Sequence, residues 1–346
     1  MKALFFSIGD LQIASSRTRI YEFIPYFEEK GTKVKVIPFV RYLRGEDRFP
    51  FKGIAYSTRL SRILSLIHQS GFYDVTVVQR MVIPRSLLLL LGKRNPNLVL
   101  DIDDAIYDTF STSRFTAFVR SLQLYKALIV SNSFLKTALQ PYAKRLMILP
   151  TCVNTDYFKP TEPTQTTSRV KIGWIGTPHT EKYLFLAKKP LQILAERYKN
   201  IEFHIISTGE ALFNHIPVIN KKWNLKNEVR DLAELNIGIM PLTEGRWEQA
   251  KSGYKILQYM AMGIPVVASG VGINKELIKH GETGFIANTQ QEWIQYLALL
   301  IQDCSLRFKM GKQGREWVVK HFDHRVHFQK FYDLLRSLCN QEVSAL

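Results

Sequence analysis

Short apolar runs rich in β-branched and aromatic residues alternate with amphipathic stretches along this chain. The runs at 3–8, 34–40, 74–78, 98–102, 127–131 and 147–149 predict strands, and the stretches at 19–30 and 57–70 predict helices between them. Strands this short and apolar suit a parallel sheet covered on both faces, the product of a βαβ series. Glu28-Glu29-Lys30-Gly31 closes the first predicted helix with a basic residue and then a glycine. Segment 159–168, Lys-Pro-Thr-Glu-Pro-Thr-Gln-Thr-Thr-Ser, is polar, proline-rich and aperiodic, so it predicts a linker over 159–169. A second βαβ series follows, with strands at 170–175, 202–206, 237–240, 265–268 and 284–287. The expected class is α/β, with doubly wound Rossmann-like domains at 1–158 and 170–346 facing across a cleft. Ligands of such sheets bind beyond the carboxyl ends of the strands, where the strand order reverses.

With 346 residues, 46% of them hydrophobic and 22% charged, each domain can bury its own core. Cys152, Cys304 and Cys339 form no CxxC pair, which argues against a zinc module or a disulfide framework and fits a reducing cytosol. Lys2 and the short apolar run after it stop at Asp10, too soon for a signal-peptide core, so they read as a strand. The longest uncharged stretch, 256–274, is broken by Gly263, Pro265, Gly270 and Gly272, and the 87–91 leucine run is too short to span a bilayer.

Charge adds a partner to this picture. The net charge is +17, and residues 1–150 hold 22 Lys+Arg against 11 Asp+Glu, a net of +11 that leaves +6 for the rest. Arg41, Arg44, Arg48, Lys52, Arg59 and Arg62 cluster among aromatic and aliphatic residues such as Tyr42, Phe49, Phe51 and Leu60. That mixture suits an anionic membrane surface or a nucleic-acid backbone, with a solvated basic helix face as the plainer reading. No recognition helix or RNA-binding signature accompanies it, so a membrane surface is expected and nucleic acid is not. The expected location is cytoplasmic, peripheral on the inner face of the cell membrane.

No P-loop, GxGxxG or GxSxG pattern occurs, which removes support for a nucleoside triphosphatase, a dinucleotide dehydrogenase or an α/β-hydrolase. The stretch 223–285 is more specific. It holds Glu228-Val229-Arg230-Asp231-Leu232-Ala233, Asn236-Ile237-Gly238-Ile239-Met240-Pro241-Leu242, Lys251-Ser252-Gly253-Tyr254-Lys255-Ile256-Leu257-Gln258-Tyr259-Met260-Ala261-Met262-Gly263-Ile264-Pro265-Val266-Val267-Ala268-Ser269 and Gly281-Glu282-Thr283-Gly284-Phe285. This resembles the donor-binding core of the GT4 glycosyltransferases. The resemblance extends through Val130-Ser131-Asn132-Ser133, 150–160 and 171–184. It implies a GT-B fold, a nucleotide-diphosphate sugar as donor, transfer with retention, no essential metal and no other cofactor; the basic first domain with its mixed apolar residues adds the expectation of a glycolipid, polyprenyl-linked or polysaccharide acceptor. The resemblance also implies a last helix that packs back on the first domain, for which Leu334, Leu335 and Leu338 supply an apolar stripe.

A helix starting near Ser252-Gly253 would aim its free N–H groups and positive dipole end at a diphosphate, with Lys251 and Lys255 in the same turn. The plainer alternative is an ordinary helix with two exposed lysines. Family members carry two glutamates eight positions apart, one near the donor sugar and one on the ribose. This chain departs from that pattern, with Ala250 at the first position and Gln258 at the second. Gln258 can still bond a ribose hydroxyl, and either Glu248 or Glu244 stands in for the missing carboxylate from the preceding loop or the sugar is held differently. Gly173-Trp174-Ile175-Gly176-Thr177-Pro178-His179-Thr180-Glu181-Lys182 resembles the family's phosphate-gripping loop; Lys182 falls at its lysine, Thr177 replaces its arginine, and Lys251 makes up the charge.

In the first domain, Ser15 or Ser16 is the expected N-cap of a helix carrying Arg17 and Arg19, which with Gly9 are assigned to an anionic acceptor group or the donor phosphates. Asp101-Ile102-Asp103-Asp104 ends a strand at the same sheet edge. Three carboxylates in four positions suggest a divalent metal, but the resemblance argues against one, and Asp103 or Asp104 is assigned to orient the acceptor hydroxyl or stabilise charge on the sugar ring, with helix capping as the alternative. The active-site histidine of many relatives is absent, since His68 precedes a strand. His321, His324 and His327 read as a solvent-exposed helical face rather than a metal site. The reaction implied is front-face attack, with the departing phosphate taking the acceptor proton while Lys182 and Lys251 stabilise it. A nucleotide-sugar epimerase of the same fold and a non-catalytic nucleotide-sugar or nucleic-acid binding protein are the rival readings.

Overall fold

The computed structural model describes residues 1–40, 52–160, 169–209 and 216–340. Arg41, Arg44 and Arg48, the side chains of Lys52 and Arg59, and linker positions 161–168 lie outside the described residues. The chain forms two compact units, one of Met1–Thr151 with His324–Leu346 and one of Cys152–Asp323.

The first unit is a six-stranded parallel sheet: β1 (Lys2–Gly9), β2 (Lys33–Val40), β3 (Val75–Gln79), β4 (Leu98–Ile102), β5 (Ala127–Val130) and β6 (Leu146–Ile148), in the order β2-β1-β3-β4-β5-β6. The order reverses beside β1, where β2 pairs on one side and β3 on the other. In the second unit β7 (Val170–Ile175), β8 (Ile201–Ser207), β9 (Val218–Lys222), β10 (Ile237–Met240), β11 (Val266–Ala268) and β12 (Gly284–Ile286) are ordered β12-β11-β10-β7-β8-β9, with the reversal between β7 and β10. Both sheets are doubly wound, as predicted. β9 is an addition: it is an edge strand, Val-Ile-Asn-Lys-Lys, with little buried, so it lacks the apolar run that marks the inner strands.

The first unit's core requires the last helix, His324–Asn340. Phe331 meets Phe5, Phe23 and Phe27 at centroid distances of 6.3, 5.4 and 5.3 Å, while Leu334, Leu335 and Leu338 are buried. The expected domain boundary at 158 moves to Thr151 because 152–158 bonds within the second unit. Val153 N donates to Phe322 O at 2.9 Å, and the Arg315 guanidinium donates to the carbonyls of Phe158 and Thr155. His324 does not lie on a solvent face. Its imidazole is buried, with Nε2 3.0 Å from Thr18 O and 3.2 Å from Glu22 Oε2.

The amino-terminal helix also differs from expectation. It spans Ala14–Arg19, and a 3-10 turn separates it from a second helix, Ile24–Glu29, which admits Pro25 in its first turn. Ser15 and Ser16 therefore lie inside the first helix rather than capping it, and Arg17 and Arg19 fall in its last turn, where the dipole favours cations. Arg19 is 1% exposed; its Nε donates to Asp101 Oδ2 at 3.0 Å, a second bond joins the same two side chains, and Nη1 donates to Leu149 O. This fork ties the first helix to β4 and to the end of β6. Arg19→Met would leave Asp101 buried without its partner and is expected to lower unfolding free energy by about 3–5 kcal/mol; an unchanged urea midpoint would show the pair to be dispensable.

Candidate active site

In the second unit, one tyrosine sets the position of the candidate donor site. Tyr259 lies with its ring on Gly238 of β10, where a Cβ would come within 2.5 Å of the ring. Its hydroxyl accepts from Ile175 N, the last residue of β7, at 2.9 Å. The helix Tyr254–Ala261 is thereby pinned over the β7/β10 reversal. Gly253 caps this helix in the left-handed region, with φ 68°, and the first intrahelical bonds run from Ile256 N and Leu257 N to its carbonyl. The amides before those have no intrahelical acceptor, so they point out of the helix end. A side chain at Gly253 would run into Leu277. Ser252 lies half-buried just before it.

The predicted lysines are each mounted on an aromatic ring. Lys251 Nζ lies 4.8 Å from the Trp247 ring centroid, Lys255 Nζ 5.2 Å from Trp174 and Lys182 Nζ 5.1 Å from Tyr183. Cation–π contact of this kind holds an ammonium group without neutralising it. Two of the rings are linked, since the Tyr183 hydroxyl donates to the buried Glu248 carboxylate, and Glu248 follows Trp247 in the helix Arg246–Gln249. The structure thus brings Lys182, Lys251 and Glu248 into one neighbourhood through Tyr183, a residue the sequence reading did not single out. Glu244 is exposed and Ala250 is fully buried.

Gly176 follows β7, and its N donates to Ile206 O at 3.0 Å. A Cβ there would press on the Trp174 indole and on Thr180 Oγ1. Thr177 closes the turn, its N donating to Thr180 Oγ1 at 3.2 Å at the start of helix Pro178–Glu181. Gln258 is 2% exposed and faces inward; its Nε2 donates to Glu228 Oε1 at 3.1 Å, and Trp223 Nε1 donates to the same oxygen at 3.0 Å.

The first unit gathers its own polar set at the carboxyl ends of β1, β3 and β4. Gly9 N donates to Ser16 Oγ at 3.0 Å, Ser16 Oγ donates to Gln79 Oε1 at 3.1 Å, and Gln79 Nε2 donates to Ser15 Oγ at 3.0 Å. Ser15 Oγ in turn donates to Asp103, which is 4% exposed. Arg80, just past β3, pairs with Asp104 at 2.6 Å and lies 3.8 Å from Asp103. Against the desolvation of its partly buried guanidinium, Asp103 and Asp104 hold the Arg80 pKa above its ordinary value. Its φ of 49° places a bulky residue in the left-handed region, at a cost of about 1–2 kcal/mol. Sequence reasoning passed over Arg80 because nothing in the order of residues announces a positive φ.

The three clustered carboxylates therefore divide between two arginines, Asp101 with Arg19 and Asp103 and Asp104 with Arg80. Arg17 is buried, with Nη1 donating to Leu11 O at 3.0 Å and Nε 3.8 Å from Glu22. Arg19 belongs to the core rather than to an exposed sheet edge. Among the described residues, no group of three or more His, Cys, Asp or Glu side chains is arranged to hold a metal ion. His321 packs its ring 3.9 Å from Trp317.

Two doubly wound units of this kind define a GT-B fold. Over its full length the chain is similar to sucrose-phosphate synthase from Thermosynechococcus elongatus, with a TM-score of 0.71, 12% identity and coverage of 98% of this chain and 99% of that one. It is likewise similar to Anabaena HepE, solved in complex with UDP and glucose, with a TM-score of 0.68, 16% identity and coverage of 97% and 100%. Residues 169–303 match the family Glycosyl transferases group 1, so the second unit carries a group 1 glycosyltransferase domain. In sequence, 86 residues are 31% identical to trehalose synthase of Pyrococcus horikoshii, covering 25% of this chain and 21% of that protein. The chain spans 21–27% of the length of the curated relatives it matches.

Gly253→Ala forces a side chain into the left-handed region against Leu277. It is expected to cost about 1–3 kcal/mol of stability and to weaken nucleoside diphosphate binding. Urea unfolding and calorimetric titration check the two effects, and an unperturbed variant would deny Gly253 its special role.

Proposed function

We propose that the protein is a retaining glycosyltransferase that moves a sugar from a nucleotide-diphosphate sugar to a glycolipid, polyprenyl-linked or polysaccharide acceptor in cell-envelope glycan synthesis. The observation that carries this reading is the trio of ring-mounted lysines, two of them flanking the left-handed Gly253, at the β7/β10 reversal of a group 1 glycosyltransferase domain. A diphosphate leaving group gains negative charge as the glycosidic bond breaks, and fixed cations and helix-end amides favour that state over the bound donor.

In this reading Gly176, Thr177, Lys182, Lys251, Ser252, Gly253 and Lys255 line the diphosphate site, and Glu248, held by Tyr183, takes the place of the carboxylate lost at Ala250. In the first unit, Asp103 or Asp104 orients the acceptor hydroxyl or stabilises charge on the sugar ring. The departing phosphate takes the acceptor proton. Pairing of Asp103 and Asp104 with Arg80, and of Asp101 with Arg19, supports a reaction with no essential metal, because each carboxylate already meets a guanidinium. The test is a panel of UDP-, GDP-, ADP- and dTDP-sugars. One donor is expected to raise Tm selectively and to release its nucleoside diphosphate slowly, and Lys182→Ala and Lys251→Ala are each expected to weaken its binding about tenfold or more. Indifference to every donor would overturn the proposal, and product formed without acceptor would favour an epimerase.

The acceptor reading is supported by two helices that pack together in the first unit, Lys52–Ser70 and Arg85–Arg94. Neither contains Asp or Glu. They expose Leu60, Leu64, Leu89 and Leu90 beside Arg85, Lys93 and Arg94, a combination suited to the anionic inner face of a membrane. No helix among the described residues is long and apolar enough to cross one. The protein is expected to sediment with phosphatidylserine vesicles but not with phosphatidylcholine vesicles, and Leu64→Glu with Leu90→Glu to abolish that binding; equal binding to both lipids would refute the assignment.

A further inference from the structure

Arg80 is the strained residue of the first unit, and its surroundings decide what it can bind. Among the described residues it alone, apart from glycines, has a positive φ. Gln79 before it is fully buried, accepting from Ile8 N at 3.1 Å and donating to Ser15 O at 3.0 Å, and Arg80 N donates to Asp101 O at 2.7 Å. The backbone is therefore held at the turn, on the carboxyl edge where the strand order reverses beside β1. The turn carries the guanidinium to the end of β4, where Nη2 meets Asp104 Oδ2 at 2.6 Å and Nη1 lies 3.8 Å from Asp103 Oδ1. The Arg80 and Asp104 side chains keep 20% and 14% of their surface exposed, whereas Asp103 is buried and takes the Ser15 hydroxyl. Solvent thus reaches a guanidinium and a carboxylate side by side at this edge.

One guanidinium faces two carboxylates here, so the edge carries a net negative charge. Arg17 and Arg19 do not offset it, because both are buried, Arg19 paired with Asp101 and Arg17 beside Glu22. A phosphate would meet more repulsion than attraction. The neighbouring hydroxyls of a sugar suit the edge, since each can donate to a carboxylate and accept from a guanidinium, whose fork of five N–H groups is not used up by one short bond to Asp104. Leu11 and Val82, exposed where the chain leaves β1 and β3, add aliphatic surface for the C–H face of the ring. We propose that Arg80 and Asp104 recognise the acceptor, binding two neighbouring hydroxyls of an uncharged sugar and turning away a phosphate. The inference rests on the glycosyltransferase reading and narrows its acceptor. Whatever lipid or glycan carries it, the group presented to the first unit is a neutral sugar rather than the anionic group expected from Arg17 and Arg19.

The experiment is ligand-observed NMR on the full-length protein, with the second unit's site filled by whichever of UDP, GDP, ADP or dTDP it binds. The probes are methyl glycosides of glucose, galactose, mannose and N-acetylglucosamine, with inorganic phosphate as competitor. At least one glycoside is expected to bind, and phosphate at equal concentration not to displace it. R80A and D104N are each expected to weaken that binding about tenfold or more while nucleotide binding stays as in wild type. D103N/D104N, which leaves the guanidinium unopposed, should lose the glycoside and bind phosphate instead. That reversal is a result a merely structural ion pair does not produce, and it also shows the variant to be folded. Displacement of the glycoside by phosphate in wild type, undiminished glycoside binding by R80A and D104N, or no phosphate binding by a D103N/D104N chain that still binds nucleotide overturns the inference and leaves the donor reading intact. So does a wild type that binds a nucleotide but none of the glycosides. Failure of wild type to bind any of the four nucleotides overturns both.

Discussion

The hydroxyl of Tyr259 on the last amide of β7 is the contact on which the second unit's site depends. A helix laid across a parallel sheet can slide along its apolar face at small cost, because hydrophobic contact is not directional. Tyr259 removes that freedom in two directions at once. The bare backbone of Gly238 admits its ring and sets the height of the helix, and the bond to Ile175 N sets its position along the strand. Gly253, Lys251 and Lys255 inherit their places from that one side chain.

The candidate sites of the two units handle charge differently. At the second unit's candidate site Lys182, Lys251 and Lys255 rest on rings, which attract an ammonium through the quadrupole. In the first, two arginines are matched to the carboxylates at and after the end of β4, Arg19 in a buried bidentate pair and Arg80 across two aspartates. The first unit holds most of the chain's excess positive charge, but that excess lies on its helices rather than among the carboxylates of its strand ends. Net charge and site charge are separate properties of this molecule.

Most of the sheet framework was legible in the sequence because burial on both faces demands uninterrupted apolar runs, and these stand out against amphipathic helices. β9 escaped for the same reason, as an exposed edge strand has no apolar face to advertise. The grouping of Lys251, Ser252 and Lys255 around Gly253 was legible through the family resemblance and because neighbours in sequence are neighbours on one helix turn. Contacts between distant segments were not. Tyr183 meets Glu248 across 65 residues and Arg19 meets Asp101 across 82, and no local pattern encodes such a meeting. The Ser15–Ser16 segment misled because serine there served tertiary partners, Asp103 and Gly9, in place of the helix start it usually marks.

The second unit is an unbroken stretch, Cys152–Asp323, set within a first unit whose pieces lie on either side of it. On a ribosome this imposes an order. The inserted unit has all its strands before residue 324 emerges, whereas the aromatic cluster of Phe5, Phe23 and Phe27 waits for Phe331 to close over it. Of the two units, the one whose strands are made earlier is therefore completed later. Until Phe331 is made, the face of Phe5, Phe23 and Phe27 lacks that cover, and transiently exposed apolar surface of this kind favours misassembly.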